Sequence, residues 1–271
     1  LYNRYYGPKP KIVNHLEAVL GKNKVFNHVT RFDKWFIHQL LASTPLKANL
    51  PRTSPYTPQR LFDYVGRFKK VILKSAHGRL GAKIYLVASD AGMLHLHQGT
   101  LSPVASFHSN EELLEHLEPM LSPDFLVQQY IPLASIDGRP FDLRFLLQKN
   151  ETGEWEIPGV LSRLSMRHSY ITNLCQSILL GKDALGSAFP RQNIMPELME
   201  ISIKAARIVE GSLGSLGELS VDFGLDSAGN AWIIELNAKP MKHMFADLGD
   251  AQLTRKIYRQ PLLYALHLAR T

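Results

Sequence analysis

Two short segments near the C-terminal end, SVDFGLD and AWIIELN, constrain the fold more than any other part of the chain. In an extended strand alternate side chains share a face, so Glu218, Ser220, Asp222 and Gly224 point one way and Leu219, Val221, Phe223 and Leu225 the other. The same count puts Glu235 and Asn237 together, opposite Trp232, Ile234 and Leu236. Residues 227–230, with Gly229 among them, read as a hairpin loop. Pairing across that loop sets Asp222 opposite Glu235 and Ser220 opposite Asn237. Two carboxylates about 5 Å apart repel by roughly 3 kcal/mol at an effective dielectric near ~20, so facing acids call for a counter-charge. The donors Asp222, Glu235 and Asn237 are all oxygens, which suits Mg2+, a hard cation. The competing reading is a hairpin whose acids simply face water. Three oxygen donors on facing strands weigh against it.

The triplet Asp222-Phe223-Gly224 also matches the D-F-G of protein kinases, but its companions are missing. The chain has no H-R-D catalytic loop and no G-x-G-x-x-G loop. Nor do its 11 His and one Cys fall at zinc-ligand spacing. A single cysteine, Cys175, rules out an intrachain disulfide and fits a reducing, cytoplasmic setting. The net charge of +7 favours an anionic ligand, yet it is spread without a basic run, so no nucleic-acid partner is expected. No apolar stretch reaches the roughly 18 residues of a membrane span, and no membrane partner is expected either.

The rest of the chain reads as an α+β protein. A helical pattern (Phe32, Trp35, Phe36, Leu40) gives way to a segment broken by Pro45, Pro51, Pro55 and Pro58, read as a long irregular connection. From Lys70 come strands at KVILKS, AKIYLVAS and MLHLHQ, then a helix capped by Ser109 or Asn110. A second series places strands at FLVQQYI, FDLRFLLQK and WEIPGVLSRLS, then a long helix at PELMEISIKAARIVEGSL and the acidic hairpin. The expected divisions are an N-terminal helix and linker at 1–67, a small unit at 68–126 and a larger one at 127–271. Arg144 shares its strand face with Asp142 and Arg163 interrupts VLSRL in the same manner; their guanidinium forks suit phosphate, and for Arg144 the competing reading is an ion pair to Asp142.

In order, VTRFDKWFIHQLL, LPRT, VILKS, VQQYI, FDLRFLLQKN, IPGVLSR, ITNL, VDFGLD and IIELNAKP resemble the YheC/YheD family of ATP-grasp proteins associated with bacterial endospore coats. The resemblance implies an ATP-grasp fold, a small lid subdomain closing over a larger catalytic subdomain, with ATP and Mg2+ between them. It implies that Asp222, Glu235 and Asn237 hold the metal, and that Lys74, Lys83, Gln128, Gln129, Tyr130 and Ile131 bind the nucleotide. Arg144, Arg163 and Asn173 are then the catalytic, phosphate-facing residues. The implied chemistry joins a carboxylate to an amine or thiol through an acyl phosphate, with an amino acid or peptide as acceptor. Two alternatives stay open: a catalytically weak nucleotide-binding coat or scaffold protein, and a small-molecule kinase on the same fold. The family association adds a spore-associated location and spore coat proteins as partners. Where related sequences carry a Gly-Gly pair after the Asn strand, this chain has Gln176 and Ser177.

Overall fold

A computed structural model describes residues 1–5, 11–29, 31–78, 83–172 and 175–271. The first part contains α1 (Lys11–Leu20), α2 (Lys34–Ala42), β1 (Thr53–Pro55), α3 (Pro58–Phe68), β2 (Lys70–Ser75), β3 (Ile84–Asp90), β4 (Met93–Gln98), β5 (Pro103–Phe107), α4 (Asn110–Leu117) and β6 (Phe125–Gln129). The second contains β7 (Ser135–Ile136), β8 (Arg139–Lys149), β9 (Trp155–Ser165), β10 (Cys175–Leu180), α5 (Gly181–Ala188), α6 (Met195–Leu213), β11 (Glu218–Leu225), β12 (Ala231–Asn237), α7 (His243–Ala246) and α8 (Ala251–Arg270).

The strands form two antiparallel sheets, ordered β1-β6-β2-β3-β4-β5 and β10-β9-β8-β11-β12, with β7 paired to β8. α3 and α4 cover one face of the first sheet, burying Leu61, Val65, Leu113 and Leu117 against Val71, Leu73, Val87 and Val127. The second sheet is buried on both faces. Leu219, Val221, Phe223 and Leu225 pack with Leu143, Phe145 and the α6 residues Leu198, Ala205 and Val209. On the other face α7 and α8 lay Met244, Phe245 and Ile257 over Leu146 and Leu161.

Several sequence expectations need correction. The proline-broken segment is ordered: a 3-10 turn at Pro45–Asn49 leads to β1, an edge strand that tolerates Pro55, and then to α3. Pro58 stands in the first turn of α3, where its missing N–H is no loss, and the Thr57 hydroxyl caps the helix by accepting from Arg60 N–H. FLVQQ, expected to open the second unit, is hydrogen-bonded between β1 and β2, so the first sheet extends past residue 126. His97, on β4, is buried. The cap of α4 is Ser109, whose hydroxyl accepts from Glu112 N–H. Among the described residues no helix is long and apolar enough to cross a membrane.

Candidate functional site

The acidic hairpin forms with Asp222 paired to Glu235 and Ser220 to Asn237. The turn is longer than expected, since the last pair is Leu225 with Ala231, and a bulge at Ile234 absorbs the difference. That bulge reverses the expected faces between 231 and 234: Ile233 joins the core with Leu236, while Ile234 turns toward the cleft beside Glu235. Gly224 is needed there for a close approach, because a Cβ at this position would meet Leu133 Cδ2 at 2.4 Å and Ile234 Cδ1 at 3.2 Å. Asp222 is 1% exposed and Glu218 0%, while Glu235 is half-buried.

β11 runs between β12 and β8, which sets Asp222 opposite Arg144, and β9 places Arg163 opposite Asp142. Arg144 donates from Nε and Nη2 to the two oxygens of Asp222 at 2.8 and 2.7 Å. Arg163 forks onto Asp142 and also reaches Asp222 Oδ2 at 3.0 Å. Thr172 donates its hydroxyl to Asp142. In place of an Arg144–Asp142 pair, two cross-strand pairs form one buried, charge-balanced quartet. Burial alone would raise the Asp222 carboxyl, but the charges of Arg144 and Arg163 outweigh it and hold the carboxyl below its ordinary value. Burial likewise opposes the Arg163 charge, and Asp142 and Asp222 more than compensate. Asn237 Nδ2 lies 3.5 Å from Asp222 Oδ2, and the buried Ser220 hydroxyl beside it has no partner among the described residues.

Lys74, on β2 of the first sheet, projects to the second, its Nζ 3.5 Å from the carbonyl of Ile234. Burial pushes its ammonium down to about 8, against the attraction of Glu235 and with the repulsion of Lys34. Lys34 was not anticipated. Its Nζ lies 3.3 Å from Glu235 Oε1 and donates to the carbonyl of Gly78 at 2.7 Å. The available signal was electrostatic: Lys34 begins α2, immediately after the cap Asp33, where the helix dipole disfavours a cation unless another partner holds it. His38, one turn further on, is held neutral, its pKa lowered to about 4 by burial and then by the Lys74 charge.

Between the two sheets lies a cavity of about 100 Å3. Ile72, Ile84, Tyr170 and Ile171 form an apolar end, and Lys74, Asp142, Arg163, Asp222 and Glu235 line the polar end. Gln128, Gln129, Tyr130 and Ile131 all border it, with the N–H of Tyr130 donating to the carbonyl of Lys70. Lys83 is exposed at φ 57° just before β3 and does not border this cavity. Asn173 lies outside the described residues. A second carboxylate, Glu218, is consumed internally by Tyr2, Arg4, Gln148 and Lys242. Among the described residues no three His, Cys, Asp or Glu side chains converge as a metal cluster. The oxygen set comprises two carboxylates and the Asn237 amide.

A model of the YheC/D like ATP-grasp family matches residues 22–268. The endospore coat-associated protein YheD of Bacillus subtilis strain 168 is 28% identical over 252 residues, which cover 89% of this chain and 55% of that protein. The chain thus spans about half the length of this curated relative. The D-alanine-D-alanine ligase from Coxiella burnetii superposes with a TM-score of 0.57 at 14% identity, covering 99% of this chain and 68% of the ligase. The ATP-grasp ligase PsnB, solved with a minimal precursor, Mg and ADP, gives a TM-score of 0.57 at 14% identity, over 96% of this chain and 69% of PsnB. These likenesses establish the ATP-grasp fold, an α+β architecture with two antiparallel sheets.

Proposed function

This chain belongs to the YheC/D-like ATP-grasp family, and from that premise we propose that it is an ATP- and Mg2+-dependent ligase joining a carboxylate to an amine. The observation that carries this reading is the convergence of Lys74, Arg163, Asp222 and Glu235 at one end of a cleft whose other end is apolar, with Arg144 and Asn237 set against Asp222. The two arginines and the pair Lys34 and Lys74 face three carboxylates, so the site keeps one positive charge for an anion.

The donor set fits a hard cation: oxygens only, on facing strands, with the Asp222 carboxyl held ionised. Asp222, Glu235 and Asn237 are assigned to hold Mg2+, which supplies charge neutralisation at the phosphates. Lys74 and Lys34 take nucleotide phosphate oxygens, and the apolar end takes the base between Ile72, Tyr130 and Ile131. Lys83 and Asn173 are assigned to the same phosphates on family position. In the first step a substrate carboxylate oxygen attacks the γ-phosphorus, the bond to ADP breaks, and an acyl phosphate forms. In the second an amine nitrogen attacks the acyl carbon, phosphate leaves and the nitrogen loses a proton. Arg144 and Arg163 stabilise the charge that develops on the transferring phosphoryl group.

The scaffold reading has one observation in its favour, that both oxygens of Asp222 are engaged by guanidinium groups. Release of ADP and phosphate, with hydroxylamine trapping the acyl phosphate as a hydroxamate across a panel of carboxylates, decides between the two. Magnesium-dependent ATP binding without ADP release across the panel favours the scaffold. The name of YheD suggests a spore coat setting for this chain too, to be tested by fractionating spores.

A further inference from the structure

The catalytic sheet holds the lid by a clasp built from residues 168–171. The hydroxyl of Tyr170 lies 3.0 Å from the carbonyl of Ile84 and 3.1 Å from that of His97, and it accepts from Gly99 N–H at 3.2 Å. Beside it Ser169 Oγ donates to the carbonyl of Gly99 at 2.8 Å, Leu101 N–H donates to the carbonyl of His168 at 2.6 Å, and Thr100 bridges to Ser169. These contacts join the start of β3 and the turn after β4, both in the lid, to the chain that follows β9. The ring of the same tyrosine is buried with Leu86 and Ile171, against Ile72, Ile84 and Tyr130, and lines the apolar end of the cleft. One side chain is therefore both wall and fastener.

The size of the cavity gives this arrangement its consequence. Ligand pockets are typically about 300–1,000 Å3, whereas the cleft encloses about 100 Å3 with the clasp made. A nucleotide enters only if the lid moves away from the second sheet, and such a movement separates Tyr170 from Ile84, His97 and Gly99. We propose that Tyr170 is the positioning residue that couples occupancy of the base pocket to lid closure: its hydroxyl fastens β3 and β4 to the catalytic sheet, and its ring completes the pocket wall only while they are fastened. The coupling to nucleotide rests on the ligase reading above; the fastening does not. Burial pushes the phenol up to about 12, so it remains a neutral donor through the working pH range.

Tyr170→Phe keeps the ring and deletes the hydroxyl, and it leaves the Gly99 N–H without this acceptor and removes the single O–H shared between the carbonyls of Ile84 and His97. One such loss corresponds to about tenfold in an opening equilibrium. Without nucleotide, hydrogen exchange at the amides of Gly99 and Leu101 is expected to quicken about tenfold, with the α6 amides unchanged as a control for global stability. Dissociation of MgADP, followed by stopped flow with a fluorescent ADP analogue, is expected to quicken by a similar factor. Ser169→Ala, which removes one contact to Gly99, should move both readouts the same way by less. Unchanged exchange at Gly99 and Leu101 overturns the clasp. Faster exchange with unchanged ADP dissociation overturns the coupling. Failure of the wild-type chain to bind MgADP overturns the nucleotide reading and the coupling with it, while the exchange arm still decides the fastening.

Discussion

Replacing Asp222 by Asn tests the buried quartet with little change of shape. Asp222 accepts from Arg144 at 2.8 and 2.7 Å and from Arg163 at 3.0 Å, and it is 1% exposed. An amide puts an NH2 group against a guanidinium and leaves two arginines over one carboxylate, Asp142. Removing one partner of a buried ion pair costs about 3–5 kcal/mol, mostly because the remaining charge is stranded without water. At about 2–4 °C per kcal/mol for a chain near this size, Tm should fall by about 6–20 °C. Thermal and urea unfolding followed by circular dichroism measure this directly. The double variant Asp222→Asn with Arg144→Gln discriminates further: once the stranded guanidinium is gone, the combined loss should fall short of the sum of the single losses by about 1–3 kcal/mol. A single-variant loss under about 1 kcal/mol, or additivity within about 0.5 kcal/mol, would show that Asp222 is not the anchor of the quartet.

Three further outcomes are expected. Lys74 has a folded pKa of about 8 against an ordinary 10.5, so between those values the unfolded chain binds more protons and stability rises with pH; Lys74→Met should remove that rise. If Lys74 binds phosphate, ATP should restore its proton, and calorimetry at pH 8 to 8.5 in buffers of different ionisation enthalpy should register proton uptake; buffer-independent heats would count against the contact. His38, at about 4 in the folded chain against 6.5, gives a slope of the same sign in a lower window, with stability falling as pH drops from 6.5 toward 4. His38→Gln should flatten that limb, and an unaltered limb would mean His38 accepts its proton without penalty. Gly224→Ala should lose about 1–3 kcal/mol through overpacking against Leu133 and Ile234, and wild-type stability by urea melt would show that the Leu133 segment yields freely.

The hairpin was legible because period-two alternation survives in any strand environment, and facing acids demand an explanation. Its pairing was right although the loop was misjudged, since the five-residue turn and the Ile234 bulge cancel in register at Asp222 and Glu235. The bulge itself left no mark: Trp232, Ile233 and Ile234 are all apolar, so nothing in the sequence said which would turn outward. The competing ion pair of Arg144 with Asp142 is not made, for a physical reason. Asp142 is two residues from Arg144 on the same face, but neighbouring strands lie about 4.8 Å apart, and across that gap Asp222 meets the guanidinium edge-on with both oxygens. β1 and α3 were hidden by prolines that mark an edge strand and a helix start as readily as an irregular segment. Lys34 and Tyr170 act through residues 201 and 86 positions away along the chain, Glu235 and Ile84, and such contacts have no local signature.

Under the ligase reading, the quartet also bears on how the site avoids self-inhibition. Arg144 and Arg163 suit phosphate, and Asp222 and Asp142 suit cations, yet all four are buried and none can stand unpaired without a penalty of several kcal/mol. Pairing them with one another compensates the buried charges and holds the Asp222 carboxyl below its ordinary value. Lys34 pairs with Glu235 at 3.3 Å. Under the ligase reading, a magnesium nucleotide brings anions for the arginines and Lys34 together with a cation for Asp222 and Glu235, so each broken ion pair is replaced by another and net charge in the cleft changes little. A phosphate without the cation would free the acids with nothing to hold them, and a cation without the phosphates would strand the guanidiniums. The arrangement therefore favours joint arrival, and the same neutrality lets the site persist, folded and ionised, whether or not turnover follows.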